Sequence, residues 1–169
     1  LPLGLSLRDT PQSVSVVTRD LIQDQSMQSL TDIARYVPGA GMAQGEGNRD
    51  TIILRGNSST SDFFLDGVRD DVEYYRDLYN LDRVEILKGP NAMIFGRGGG
   101  GGVINRVSKA PEFQRARASA SASVDSFGAW TVAADLGAPL TDNVGLRLNA
   151  TYEEFDNHRQ DYAGHFIGI

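Results

Sequence analysis

Between Arg115 and Asp125 the chain alternates without a fault. Ala116, Ala118, Ala120, Ala122 and Val124 fall on one side, and Arg115, Arg117, Ser119, Ser121, Ser123 and Asp125 on the other. A period of two fits an extended strand, whose successive side chains point to opposite faces. A second run sets Trp130, Val132, Ala134 and Leu136 against Thr131, Ala133 and Asp135. A third sets Val144, Leu146, Leu148, Ala150 and Tyr152 against Arg147, Asn149, Thr151 and Glu153. Ser126-Phe127-Gly128 and the stretch from Pro139 to Asn143 supply the turns between them. Strands of about ten residues with one apolar and one polar face suit two architectures. One is the wall of a transmembrane β-barrel; the other is an antiparallel sheet with one wet face. Alternation alone leaves both open.

The chain before residue 112 has a different texture. Val14, Val16 and Val17 among Ser and Thr predict a short strand from Gln12 to Thr18, and Thr18 is placed to cap a helical turn. Leu30, Ile33, Ala34 and Val37 recur at helical spacing until Pro38-Gly39 stops the run. The stretch from Gly39 to Asp50, with Gly41, Gly45, Gly47, Gln44, Asn48 and Arg49, reads as a long polar loop. Thr51 to Arg55 and Phe63 to Leu65 read as strands with a polar connection from Asn57 to Ser61, and Asp66-Gly67 is a turn signal. Arg83 to Lys88 and Val103 to Val107 predict two more strands, with Gly89-Pro90 opening a short segment that ends at Phe95-Gly96. These pieces predict a small α+β unit with a mixed sheet and short helices over residues 1–111. They are too irregular for a βαβ array.

Composition narrows the function classes. Lys and Arg number 16 against 22 Asp and Glu, a formal charge of -6, and the basic residues are scattered. That excludes a protein built to neutralise nucleic-acid phosphates. Cysteine is absent, which removes disulfides, thiolate metal sites and cysteine nucleophiles from this stretch. No run approaches the roughly 20 apolar residues of a membrane-spanning helix. The chain begins without Met and ends at Phe166-Ile167-Gly168-Ile169 inside an alternating run, so it is expected to be part of a longer protein.

Six segments, in order, carry a family resemblance. They are Gln12 to Thr18, Arg35-Tyr36-Val37-Pro38-Gly39, Ile53-Leu54-Arg55-Gly56, Phe64-Leu65-Asp66-Gly67-Val68, Asp82 to Pro90, and Gly101-Gly102-Val103-Ile104-Asn105. Together they resemble the plug of TonB-dependent siderophore receptors. Asp70-Asp71 with Tyr74-Tyr75-Arg76-Asp77, and the run from Gly96 to Gly102, resemble the siderophore branch more than the vitamin B12 or sugar branches.

The resemblance implies a plug domain over 1–111, then the first antiparallel strands of an incomplete transmembrane β-barrel over 112–169. The implied function is binding and import of ferric-siderophore complexes at the bacterial cell outer membrane, with the plug gating the barrel lumen. The implied partners are a ferric siderophore, the remainder of the barrel, outer-membrane lipid, and TonB acting through a segment upstream of Leu1. Iron would arrive as a chelate, with no cofactor bound directly and no nucleic acid involved. The nearest alternative is a receptor for vitamin B12 or a sugar; a more distant one is a soluble β-rich binding module.

Candidate ligand contacts are Gln44 and Asn48, then Asn57, Ser59 and Thr60, then Tyr74, Tyr75 and Arg76. Aromatic rings and Arg suit anionic catechol or hydroxamate chelates through stacking, cation-π contact and charge-assisted hydrogen bonds. The tyrosines also suit packing at a plug-barrel boundary. Arg55 and Lys88 are charges on otherwise apolar strands, so their burial calls for acidic partners. By resemblance those acids lie on the barrel wall, and Arg97 joins Arg55 and Lys88 as a plug-barrel contact.

The remaining motifs point to no enzyme. The glycine run contains G-x-G-x-x-G but precedes a strand instead of opening a helix after one, so a dinucleotide fingerprint is not met. It reads instead as backbone needing positive φ and close approach to the barrel wall. Asp66, Asp70, Asp71, Glu73 and Asp77 have no calcium-loop spacing and read as a solvated loop. His158 and His165 have no pattern of a metal site or catalytic base.

Overall fold

The computed structural model describes residues 13–45, 49–60, 62–89, 101–156 and 163–169. The chain forms two compact units, Leu1–Ser108 and Lys109–Ile169.

The first unit is built on a five-stranded sheet in the order β1-β7-β8-β5-β6. Its strands are β1 (Ser13–Thr18), β5 (Phe63–Leu65), β6 (Val68–Arg69), β7 (Leu81–Lys88) and β8 (Gly102–Ser108). Only β5 and β8 run parallel; the other pairs are antiparallel. A separate three-stranded sheet holds β2 (Ala40–Ala43), β3 (Thr51–Leu54) and β4 (Asn57–Ser59) in that order. Two short helices, α1 (Arg19–Asp24) and α2 (Leu30–Arg35), connect β1 to β2.

Local chemistry fixes the helix starts. Thr18 caps α1 by accepting from the Leu21 amide at 3.4 Å. Ser29 and Asp32 form a reciprocal box at the start of α2: the Asp32 amide donates to Ser29 Oγ at 3.3 Å, and the Ser29 amide donates to Asp32 Oδ2 at 3.2 Å. Such caps contribute about 1 kcal/mol each. Leu30, Ile33 and Ala34 then bury one face of α2. Leu30 and Ile33 join Val17, Ile52, Leu54, Phe63, Leu81, Val84, Ile86 and Ile104 in the main core. Because side chains alternate along β7, Val84 and Ile86 face this core while Leu87 joins Phe64 and Val103 in a smaller cluster.

Three expectations need correction. The predicted loop from Gly39 to Asp50 contains β2, and the predicted connection after Asn57 begins with β4. Backbone pairing with β3 decides both segments, since Met42 pairs with Ile52 and Ser59 pairs with Ile52 from the other side. The strand expected to reach Arg55 stops at Leu54, because Arg55 has φ 52 and turns the chain. Of the glycine run, Gly101 and Gly102 are among the described residues, and both approach the backbone of this unit closely. A Cβ at Gly101 would lie 2.2 Å from the Leu54 carbonyl oxygen, and one at Gly102 would lie 2.3 Å from that of Leu87.

The second unit is an antiparallel meander in the order β12-β11-β10-β9. Its strands are β9 (Arg117–Val124), β10 (Trp130–Thr141), β11 (Val144–Asp156) and β12 (Ala163–Gly168). It is not closed. The expected turn from Pro139 to Asn143 is shorter than predicted, because pairing of Pro139 with Gly145 and of Thr141 with Val144 extends β10 through an irregularity at Leu140. Register places the predicted faces in transverse rows: Ala122, Val132, Tyr152 and Ile167 form one, and Ala118, Leu136 and Leu148 another. The apolar side is open, with Leu136, Leu146, Leu148 and Ile167 all exposed. The polar side is where Asp135 and Thr151 are buried.

Candidate functional site: a polar knot of loops

The segment after β6 carries the tyrosines, and Arg76 organises it. Arg76 is 1 % exposed. Its Nη1 donates to the Tyr74 carbonyl at 3.0 Å, and its Nη2 donates to the Asp70 carbonyl at 3.0 Å and to that of Val72. Nε reaches Asp70 Oδ2 at 3.4 Å. The guanidinium also sits 4.0 Å from the Phe63 ring centre and 4.3 Å from that of Tyr74. A planar cation with five donors is suited to gathering several carbonyls at once. The loop therefore winds around its own arginine.

Asp70 is the anionic centre of the same knot. Arg106 Nη2 pairs with Asp70 Oδ2 and donates to the Tyr74 hydroxyl at 3.0 Å. The Tyr74 hydroxyl in turn donates to Asp70 Oδ2 at 2.6 Å. Arg106 comes from β8, so the rigid sheet holds the loop. This overturns the reading of Asp70 as part of a solvated loop: two arginines and a tyrosine occupy its carboxylate.

The β2–β3 connection joins from a third direction. The Arg76 amide donates to Asp50 Oδ2 at 2.8 Å, and the Asp50 amide donates to the Tyr74 carbonyl at 3.2 Å. Arg49 Nη1 pairs with Glu73 Oε2 at 2.8 Å on the outside. Burial pushes the Asp50 carboxyl pKa up, outweighing the Arg76 amide, the charges of Arg76 and Arg106, and the Gln44 amide beside it. Asp50 Oδ1, Asp62 Oδ1 and Arg106 Nε are buried without a hydrogen-bond partner among the described residues. The knot is held from below as well, because Tyr75 hydroxyl donates to the Gln28 carbonyl at 3.3 Å and Ser29 bridges to Asp77.

The expected ligand contacts divide accordingly. Tyr74 is exposed, Tyr75 and Gln44 are half-buried, and all three belong to this end of the unit. Arg76 does not present its guanidinium outward: the loop carbonyls and Asp70 consume its donors, so its role is to shape the loop. Thr60 follows Ser59, which pairs with Ile52 near the start of β3, whereas Asn57 pairs with Leu54 at the other end of β3. Asn57 is thereby set apart from the tyrosines. Asn48 and Arg97 lie outside the described residues. Asp50 and Arg106 were missed from the sequence, and Asp70 was read there as part of a solvated loop; the adjacent polar pair Asn105-Arg106 inside an apolar strand is the signal for Arg106.

Arg55 and Lys88 mark the opposite end. Lys88 is buried, and its Nζ donates to the Pro38 carbonyl at 3.0 Å. Arg55 is exposed, and its Nη1 is 3.5 Å from where a Cβ on Gly89 would stand. Two cations thus flank one turn, and within this unit Lys88 Nζ is held by a carbonyl.

The TonB-dependent Receptor Plug Domain family matches residues 6–103. The chain belongs to that family. Among curated relatives, the probable TonB-dependent receptor BfrD of Bordetella pertussis is 40% identical over 146 residues, covering 85% of this chain and 20% of the relative. The catecholate siderophore receptor Fiu of Escherichia coli is 33% identical over 158 residues, covering 90% of this chain and 21% of that one. Its crystal structure in the open form superposes with a TM-score of 0.82 at 31% identity, over 92% of this chain and 23% of that one. The siderophore receptor PiuA of Acinetobacter baumannii superposes at 0.83 with 28% identity, over 92% and 22%. This chain therefore spans about a fifth of the length of the relatives it matches. In this TonB-dependent receptor plug, two loops and Arg106 of the mixed sheet form the knot, and the antiparallel strands follow it in the chain.

Proposed function

We propose that the chain is the plug and first barrel strands of an outer-membrane transporter that binds ferric-siderophore complexes and imports them with energy from TonB. The observation that carries the reading is the tyrosine loop. Arg76, Asp70, Arg106 and Asp50 hold it from inside, so the exposed Tyr74 and the neighbouring Gln44 and Tyr75 are presented on a preorganised surface. A rigid aromatic and amide surface binds a flat, polar chelate at low entropic cost. Two relatives bear the names of a catecholate siderophore receptor and a siderophore receptor, which favours that ligand class.

The metal enters as cargo inside its chelate, with oxygen donors supplied by the siderophore. The apolar face of β9 to β12 supports a membrane location. From Trp130 to Leu140 along β10 the strand advances about 34 Å at ~3.4 Å per residue. A tilt of about 40° turns this into a band of about 26 Å, close to the apolar height of an outer-membrane barrel. Trp130 and Tyr152 stack at one edge of that band, with ring centres 5.1 Å apart. The cationic end at Arg55 and Lys88 suits acids on the completed barrel wall, and release of such polar pairs is a route by which applied force can move the plug.

Binding of ferric catecholates, ferric hydroxamates, vitamin B12 and oligosaccharides to the purified full-length receptor tests the proposal. Saturable binding of one ferric chelate alone supports it. Saturable binding of the vitamin or a sugar with none of the chelates overturns the ligand class.

A further inference from the structure

The plug and the strands hand over between two successive residues. Ser108 belongs to the plug: its amide donates to Asp66 Oδ1 at 2.9 Å and its hydroxyl to Asp66 Oδ2 at 2.6 Å. Lys109 belongs to the strands. Its Nζ lies 3.2 Å from Asp135 Oδ2 and donates to Asn149 Oδ1 at 3.1 Å. Asp135 also takes a two-pronged pair from Arg147, Nε to Oδ1 at 2.9 Å and Nη2 to Oδ2 at 2.8 Å. The third arm of Arg147, Nη1, donates to the Ala110 carbonyl at 2.8 Å. All three charged side chains are at least nine-tenths buried, at 8%, 6% and 7% exposure for Lys109, Asp135 and Arg147.

The following residues are seated as well. A Cβ at Gly145 would lie 2.7 Å from the Glu112 carbonyl oxygen and 3.1 Å from Pro111 Cβ, so the strap fits only because that position has no side chain. Arg117 Nη1 closes the turn at 3.7 Å from Glu112 Oε1. An exposed linker has none of these features: a buried bidentate ion pair, a second buried cation, a backbone bond from the wall and a glycine notch.

We propose that residues 109–112 are a mechanical anchor: a strap docked on the polar face of β10 and β11 that holds when force displaces the plug, making the Ser108–Lys109 peptide the limit of plug movement. The inference rests on the transporter reading for its purpose, and on the strap geometry for its substance. Lys109, Asp135 and Arg147 are positioning residues, which keep the plug tethered in register so that it can return to the same seat. Desolvated charge pairs in fixed geometry break over a short distance, so they resist a sudden pull better than an apolar contact of similar area.

The test is force spectroscopy on the full-length receptor in a bilayer, pulled from its N-terminus, a readout independent of which ligand the receptor carries. The expected record ends in a separate rupture that follows plug unfolding. It releases residues 109 to 116, about 2.7 nm of chain at ~3.4 Å per residue. In Asp135→Asn, and in Arg147→Lys, which keeps the charge and so favours barrel assembly, the force of that last rupture falls at least twofold while earlier ruptures keep their forces. A wild-type record in which this length comes free together with the plug, or variants with an unchanged last rupture, overturns the anchor.

Discussion

The backbone amide of Arg76 donates to the carboxylate of Asp50, 26 residues earlier, at 2.8 Å, and both residues are buried. Through this bond the β2–β3 connection and the tyrosine loop become one body. Neither could be reshaped by a ligand without disturbing the other.

Removing the centre of that body should be costly. Arg76→Ala leaves Asp70 with one fewer cation and the Asp70 and Val72 carbonyls without their donor, and such losses in buried networks run to about 3–5 kcal/mol. Amide exchange in residues 70–77 of the full-length receptor should accelerate by at least a hundredfold. Arg76→Lys should recover only part of the protection, because one ammonium cannot reach the same carbonyls in one plane. Exchange at the wild-type rate in Arg76→Ala would show that the guanidinium does not shape the loop.

Protonation of Asp50 should tighten the knot. Its folded-state pKa is raised above the ordinary carboxyl value because burial dominates. The stabilisation from the neutral acid is therefore fully present below about pH 3.8 and is lost as pH rises through the raised value. Asp50→Asn keeps an acceptor for the Arg76 amide without the buried charge. At pH 7 the variant should protect the Arg76 amide more than wild type does, with the difference shrinking toward acid. Lower protection at pH 7 would mean that the ion attraction of Arg76 and Arg106 outweighs burial.

The Tyr74 hydroxyl and ring should separate in binding experiments. Tyr74→Phe keeps the ring beside Arg76 while losing the bonds to Asp70 and Arg106. Chelate affinity should stay within about twofold, whereas Tyr74→Ala should weaken it about fivefold to tenfold, the value of one aromatic contact of about 1–1.5 kcal/mol. Equal losses in both variants would assign the contact to the hydroxyl.

Two glycines should respond differently to the same change. Gly101→Ala drives a methyl into the Leu54 carbonyl and should destabilise the plug by about 1–3 kcal/mol. Gly39, with φ +75 and nothing within 4 Å of a would-be Cβ, should cost only about 1 kcal/mol as Ala. Thermal unfolding of the two full-length variants distinguishes them, and equal midpoints would contradict the contact geometry.

How much could be read beforehand followed from where the burial signal lies. Alternation from Arg117 to Val124 and from Val144 to Tyr152 is a direct image of two faces, and the register obeys it. Leu30, Ile33 and Ala34 announce α2 in the same way. By contrast β2 and β4 consist of Ala, Gly, Met, Asn and Ser, and only their pairing with β3 makes them strands. Arg76 illustrates the other difficulty. A cation among Tyr and Asp in a polar stretch looks available to a ligand, and only the closure of the chain around it shows that its donors are already used. Lys88 shares that ambiguity, since its bond to the carbonyl of Pro38, distant in sequence, has no sequence signal.

Uptake of radioactive iron tests the central claim most directly. Receptor-deficient bacteria carrying the complete gene would be given iron on a panel of siderophores, with and without functional TonB. The account predicts accumulation from one class of chelate that disappears without TonB. Absence of uptake from every chelate, with the receptor correctly inserted in the outer membrane, would contradict it.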